Sequence, residues 1–257
     1  MKQILTIPIL AVLNIREWVR LKFFYIIVFF GILFIAFSHI LSALTFSVQE
    51  RLLYDFGLAG LEIGVLVISS LIGSHSIQRE IDRKTLFVIL ARPIPRSHVV
   101  IGAWLSTLGL CLLFSFGFLL SFTLSAEVSG RYYQGLLVAA VSTSLKAAII
   151  SSFAIAFSLI VRPILALGAT VSYWLLCYSM PDVRFFVSKM EDAALMKVVD
   201  VIDLLLPKFY LFNWKSYYYV TNIPAGQDIL WAVVHSMAWA LTWLVVGILF
   251  FRRKEIV

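Results

Sequence analysis

Residues 56–84 read FGLAGLEIGVLVISSLIGSHSI followed by QREIDRK, a long apolar run with a single carboxylate, Glu62, that gives way to five charges in seven residues. An apolar stretch of that length crosses a bilayer as a helix. Hydrocarbon about 30 Å thick needs roughly 20 residues of helix and offers the backbone no water to bond. The charged segment Gln78–Lys84 then marks the return to water.

The same reading applied outward gives six spans, near 23–46, 56–77, 99–126, 135–161, 164–180 and 229–251. Across 257 residues the chain is 61% hydrophobic and only 14% charged, with a mean hydropathy of +0.97, well short of the charge that a soluble domain carries. The fold class is therefore all-α, a polytopic integral membrane protein. No fixed-period repeat or low-complexity tract divides residues 1–257, so they read as one transmembrane domain.

The net charge of +7 raises nucleic acid as a partner, but binding phosphates needs a continuous basic surface, and these cations are scattered over helix ends. Membrane topology accounts for them instead. With the N-terminus inside, Arg16, Arg20, Lys22, Arg79, Arg83, Lys84, Arg92, Arg96, Arg162 and Arg252–Lys254 all fall on the cytoplasmic side, while the short outer loops hold only Arg51 and Arg131. Both termini are predicted cytoplasmic, in a plasma membrane. Cys111 and Cys177 lie inside apolar spans as small hydrophobes. No cleaved signal peptide is predicted, because Asn14, Arg16 and Glu17 follow the first apolar run without a small-residue cleavage pattern.

Two segments read as lying along the membrane. Residues 4–22 place Ile4, Ile7, Ala11, Val12, Ile15 and Val19 at helical spacing, an interfacial helix on the inner leaflet whose alternative is an extension of the first span. Residues 181–227 read as outer, membrane-associated helices. Within them Ala193–Leu206 is too short and too charged to cross, Pro207 ends it, and Phe209, Tyr210, Phe212, Trp214 and Tyr217–Tyr219 suit the headgroup layer.

Sequence signatures of a phosphate-cradling loop, a zinc hydrolase, a Cys-x-x-Cys pair or a serine nucleophile elbow are not present, and the four histidines have no metal-pair spacing. Catalysis, a bound metal and a bound cofactor are accordingly not expected in this chain.

The cytoplasmic segment carries the specific pattern. Leu86, Ile89, Leu90 and Pro93 recur at i, i+3, i+4 and i+7, and Glu80 and Asp82 sit where negative charge favours a helix N-terminus, so the spacing predicts a short amphipathic helix over 80–93. The succession Glu80, Asp82, Thr85, Leu86, Leu90, Pro93, Arg96 and Gly102 resembles that of permease subunits of type-2 ATP-binding-cassette exporters. Lys84 stands where glycine is usual in that family, and Ala103 where lysine is common. The resemblance implies a half-transporter: a second permease copy or paralogue completes the path, and a separate cytoplasmic ATPase dimer binds ATP and Mg²⁺. It also implies that the 80–93 helix, with Glu80, Asp82, Thr85, Leu86, Ile89, Leu90, Pro93 and Arg96, receives the ATPase. Apolar walls rich in Phe, Leu and Ile suggest hydrophobic or amphipathic cargo.

Ionisable groups inside spans are costly, so their depth is informative. Glu62 lies sixteen residues before Gln78 and Lys146 sixteen before Arg162, roughly 24 Å above the inner boundary at 1.5 Å per residue. His39 and His235 reach about 25 Å by the same rise. These four form a candidate polar layer, either a water-accessible constriction with Glu62 and Lys146 paired or a set of independent interhelical bonds and snorkelling groups. Gly60 and Gly64 make a Gly-x-x-x-Gly that permits close helix approach. The competing functional class is a six-helix ion-gradient-driven transporter or channel, which would need Glu62 and Lys146 to couple ions. An intramembrane enzyme would need a nucleophile and base cluster that the sequence does not offer.

Overall fold

A computed structural model describes residues 6–20, 22–44, 49–84, 94–125, 133–190, 192–214 and 225–253. The described residues form eight α-helices and no strand: α1 (Thr6–Arg20), α2 (Lys22–Leu44), α3 (Gln49–Asp82), α4 (Arg96–Ser125), α5 (Tyr133–Ser158), α6 (Pro163–Lys189), α7 (Ala193–Leu205) and α8 (Gly226–Arg253), with a 3₁₀ turn at Phe209–Phe212. Five segments, in α3, α4, α5, α6 and α8, are long and apolar enough to cross a membrane. The segment read as the first span is helix α2, 23 residues long, packed against α3.

Helices α3 and α5 run side by side at the centre. Their meeting surface is small: a Cβ added at Gly73 would lie 2.8 Å from the Ala154 methyl and 3.3 Å from the Ser151 carbonyl. Hydrocarbon gives no hydrophobic drive between helices, so close packing through small residues must hold them. The hydroxyls buried at this seam stay satisfied within their own helices, as Ser70 does on Leu66 O (2.7 Å) and Ser152 on Ile149 O (2.7 Å). Helix α4 joins from one side, where the Trp104 indole donates to Ala148 O at 3.1 Å, and α8 from another, where Ser236 donates to Leu145 O at 2.8 Å.

Two glycines give opposite expectations. Gly73→Ala should lower thermal stability, by about 1–3 kcal/mol, because a helix backbone would have to move. Gly117, with nothing within 4 Å of its would-be Cβ, should gain up to about 1 kcal/mol from the same change, through lost unfolded-state freedom. Melting of the two purified variants against the parent measures both signs.

The outer region differs from its reading in two respects. The fifth span does not end at 180: α6 continues through Pro181 to Lys189. A proline removes one backbone donor, which neighbouring groups in a bundle can offset, so it does not stop a membrane helix as it stops a soluble one. Helix α7 then folds back on α6, its first turn capped by Asp192, which accepts from Ala194 N (2.8 Å) and Leu195 N (3.3 Å). Arg184 of α6 reaches Asp200 (3.0 Å) and Asp203 (3.6 Å) across this hairpin.

The aromatic run is the second difference. Phe209, Phe212 and Trp214 are not headgroup anchors but buried, 0–4% exposed, in one cluster with Leu66, Leu145, Ile149 and Ala232 of the spans. Only Tyr210 of the described aromatics there faces outward, and Tyr217–Tyr219 fall outside the described residues. A chain that has left a helix can re-enter this far only where other helices surround it, and α5, α6 and α8 do so here.

Candidate functional site

At the charged end of α3, the helix expected over 80–93 does not begin at Glu80. Glu80 and Asp82 belong to the last turn of α3, whose hydrogen bonding runs on through Arg83 N to Arg79 O and Lys84 N to Ile81 O, both 3.0 Å. The apolar period that α3 keeps through Ile77 and Ile81, both packed in one cluster with Val99, Val100 and Phe251, carries the helix past the acidic pair. Acids at a helix C-terminus oppose the macrodipole, and the neighbouring Arg79 and Arg83 offset them. Thr85, Leu86, Ile89, Leu90 and Pro93 lie outside the described residues.

Lys84, in the turn two residues past the end of α3, has φ 58°, the left-handed conformation that a side chain disfavours by roughly 1–2 kcal/mol. It occupies a glycine position in conformational terms. Lys84→Gly should therefore leave stability unchanged or raise it by up to about 1 kcal/mol, despite the freedom glycine adds to the unfolded chain. A lower melting temperature in that variant would show that the turn depends on the lysine side chain.

Both ends of the loop are tied to other elements. Glu17 of α1 accepts from Arg79 and, at 2.5 Å, from Arg83, while the Trp18 ring lies 4.8 Å from the Arg79 guanidinium carbon. Helix α1 itself packs along the first half of α4, where Leu10 approaches Gly102 and Ile15 approaches Gly109. Arg96, at the start of α4, donates to Phe251 O at 2.9 Å and stacks on the Phe251 ring. It thereby satisfies a carbonyl that the last turn of α8 would otherwise leave open. Sequence reasoning did not single out Glu17. Its signal was there, a lone acid between Arg16 and Arg20 on a basic helix end.

Within the membrane the structure brings Glu62 of α3 and Lys146 of α5 into contact, Nζ to Oε1 at 2.6 Å, with side chains 6% and 3% exposed. Both project into the seam between the two central helices. The pair cross-links them chemically as well as sterically. Desolvating two charges costs several kcal/mol each, so such a pair adds little net stability, but it penalises any arrangement of α3 and α5 that parts it.

The histidines are placed elsewhere. His235 of α8 shares the level of Lys146, since its neighbour Ser236 bonds Leu145, but its Nε2 accepts from the backbone N of Lys208 at 3.1 Å. It pins the re-entrant segment and does not join the pair. His39 lies further out: Gly60 of α3 faces Phe34 of α2, so His39, five residues beyond Phe34 on an antiparallel helix, falls about 10 Å outside Glu62. The four groups do not form one contact layer.

Comparison with known proteins adds one match. A family model described as ABC-2 family transporter protein covers residues 61–256, from the turn that holds Glu62 through α8. No curated protein matches the chain.

Proposed function

This chain belongs to the ABC-2 family of transporter proteins, and from that premise we propose that it is the permease subunit of an ATP-driven exporter. The observation that carries the reading is the family match over most of a multi-pass membrane chain. Two such subunits, identical or paralogous, form the path between them. A separate ATPase dimer supplies ATP and Mg²⁺ binding and engages the segment from Glu80 to Arg96. The cargo is a hydrophobic or amphipathic molecule such as a lipid, glycolipid or drug. The membrane is a plasma membrane, a bacterial inner membrane by family likeness, with both termini inside as the distribution of Lys and Arg supports. Six crossings follow if α2 spans as its composition suggests, and the exposed apolar residues Leu195, Val198, Ile202 and Leu205 of α7 rest in the outer leaflet.

Mechanically, ATPase closure can act only by changing the relative free energies of inward-open and outward-open arrangements. The ties at the loop support such a route. A push on residues 85–93 would be passed through Arg79, Arg83 and Glu17 to α1 and α3, and through Arg96 to the end of α8. The ion-gradient alternative would need Glu62 or Lys146 to take up and release an ion. Each instead holds the other.

Reconstitution decides the matter. Copurification with a soluble ATPase in two-to-two stoichiometry, and transport that requires nucleotide, are the expected results. Transport by the chain alone, driven by an ion gradient, would overturn the assignment.

A further inference from the structure

Helix α1 divides cleanly into two sides. Ala11 is buried, and Ile15, Trp18 and Val19 pack against a core cluster built largely from α3 and α4. On the other side Ile9, Val12 and Leu13 are 47–55% exposed, and Arg16 and Arg20 are exposed beyond them. At about 3.6 residues per turn these five side chains fall in one sector about 100° wide, apolar in its first half and basic in its second.

That face has no acid to balance it. Glu17, the one carboxylate of α1, is engaged by both Arg79 and Arg83, so even there one negative charge meets two positive ones. Arg16 and Arg20 have no ion-pair partner among the described residues. The Glu17 tie also sets the height of the helix, at the end of α3 where the apolar run gives way to charge, and Leu10 meets Gly102 near the start of α4. A helix at that height has headgroups and the upper acyl chains beside its open face. Such a helix gains from both, by burying apolar side chains and by attracting anionic lipid.

We propose that the open face of α1 binds anionic phospholipid, with Ile9, Val12 and Leu13 among the upper acyl chains and Arg16 and Arg20 donating to headgroup phosphates. The apolar half accepts any lipid. The unbalanced charge of the basic half selects, because a zwitterionic headgroup brings its own ammonium beside the phosphate and an anionic one does not. A guanidinium also presents its donors in a planar fork that matches phosphate oxygens. This contact requires only that the chain spans a membrane, not that it exports.

The test is photolabelling of the full chain in vesicles of equal parts phosphatidylcholine and phosphatidylglycerol, one or the other carrying a diazirine near the head of an acyl chain, with adducts mapped by mass spectrometry. Each arginine near an anionic surface favours it about fivefold, so phosphatidylglycerol adducts on Ile9, Val12 and Leu13 should exceed phosphatidylcholine adducts by at least about tenfold. On Leu241 and Val245, similarly exposed residues of α8, the two lipids should label about equally. Raising the salt to about 1 M, where screening acts within about 3 Å, should shrink the excess on α1 severalfold. Arg16→Gln with Arg20→Gln should bring the ratio on α1 close to one while melting and the α8 adducts stay as in the parent, and Arg16→Lys with Arg20→Lys should keep most of the excess. Equal labelling of α1 by the two lipids in the parent, or an excess that survives the loss of both arginines, would overturn the proposal. So would adducts from neither lipid, which would give the face to a protein partner, and near-complete disulfide cross-linking of two copies through Val12→Cys, which would make it a subunit contact.

Discussion

Glu62→Gln alone, or Lys146→Met alone, is expected to destabilise the protein by about 3–5 kcal/mol, because each leaves a lone charge in the seam between α3 and α5. Glutamine keeps the shape of the glutamate and methionine keeps most of the lysine stem, so packing changes little in either variant. The double variant carries no charge there. It should cost far less than the sum of the singles and could equal or exceed the parent, as replacement of buried pairs by apolar groups often does. Thermal melts of all four proteins in one detergent give the coupling energy directly. Additive losses would show that water, and not the partner, solvates each group, in spite of the 2.6 Å separation. If the pair also registers α3 against α5 during transport, the double variant should melt normally yet transport with weakened dependence on nucleotide.

That pair shows what one sequence can and cannot carry. Depth follows from counting residues to a charged boundary, and counting set Glu62 and Lys146 at one height. Contact depends on helix rotation, which needs to know the neighbours, and in an almost uniformly apolar span the sequence has no amphipathic face to reveal them. His39 and His235 show the same limit from the other side: equal heights by counting, yet the first lies about 10 Å further out and the second bonds Lys208 N. The loop misled for a different reason. Glu80 and Asp82 looked like a helix start because acids favour one, whereas Ile77 and Ile81 continued the buried period of α3 through them. Lys84, noted as a departure from glycine, turned out to hold the left-handed angle that glycine would hold. In the outer region, aromatics that suit a headgroup layer in composition are equally suited to a core, and only the enclosing helices decide for Phe209 and Phe212.

Leu86→Asp or Leu90→Asp is expected to leave membrane insertion intact and to weaken coupled transport by at least about a hundredfold. A carboxylate buried at a protein interface without a partner costs several kcal/mol, and each 1.4 kcal/mol is tenfold in binding. The loss should fall on coupling and not on the fold, because both flanks of the loop are anchored independently of it. Arg79 and Arg83 hold the α3 side to Glu17, and Arg96 holds the α4 side to Phe251 O. Glu80→Lys should act in the same direction but more weakly, since Glu80 sits in a formed helical turn at the margin of the loop and remains partly accessible to water. The measurement is substrate-stimulated ATP hydrolysis and transport by each variant, co-reconstituted with the ATPase, beside the yield of the copurified complex. Both leucine variants must lose stimulation while the chain alone melts as the parent does. Unchanged assembly and unchanged stimulation in both would remove residues 80–96 from the docking surface, and the ATPase contact would then have to be sought on α1, whose Glu17 already grips the same end of α3.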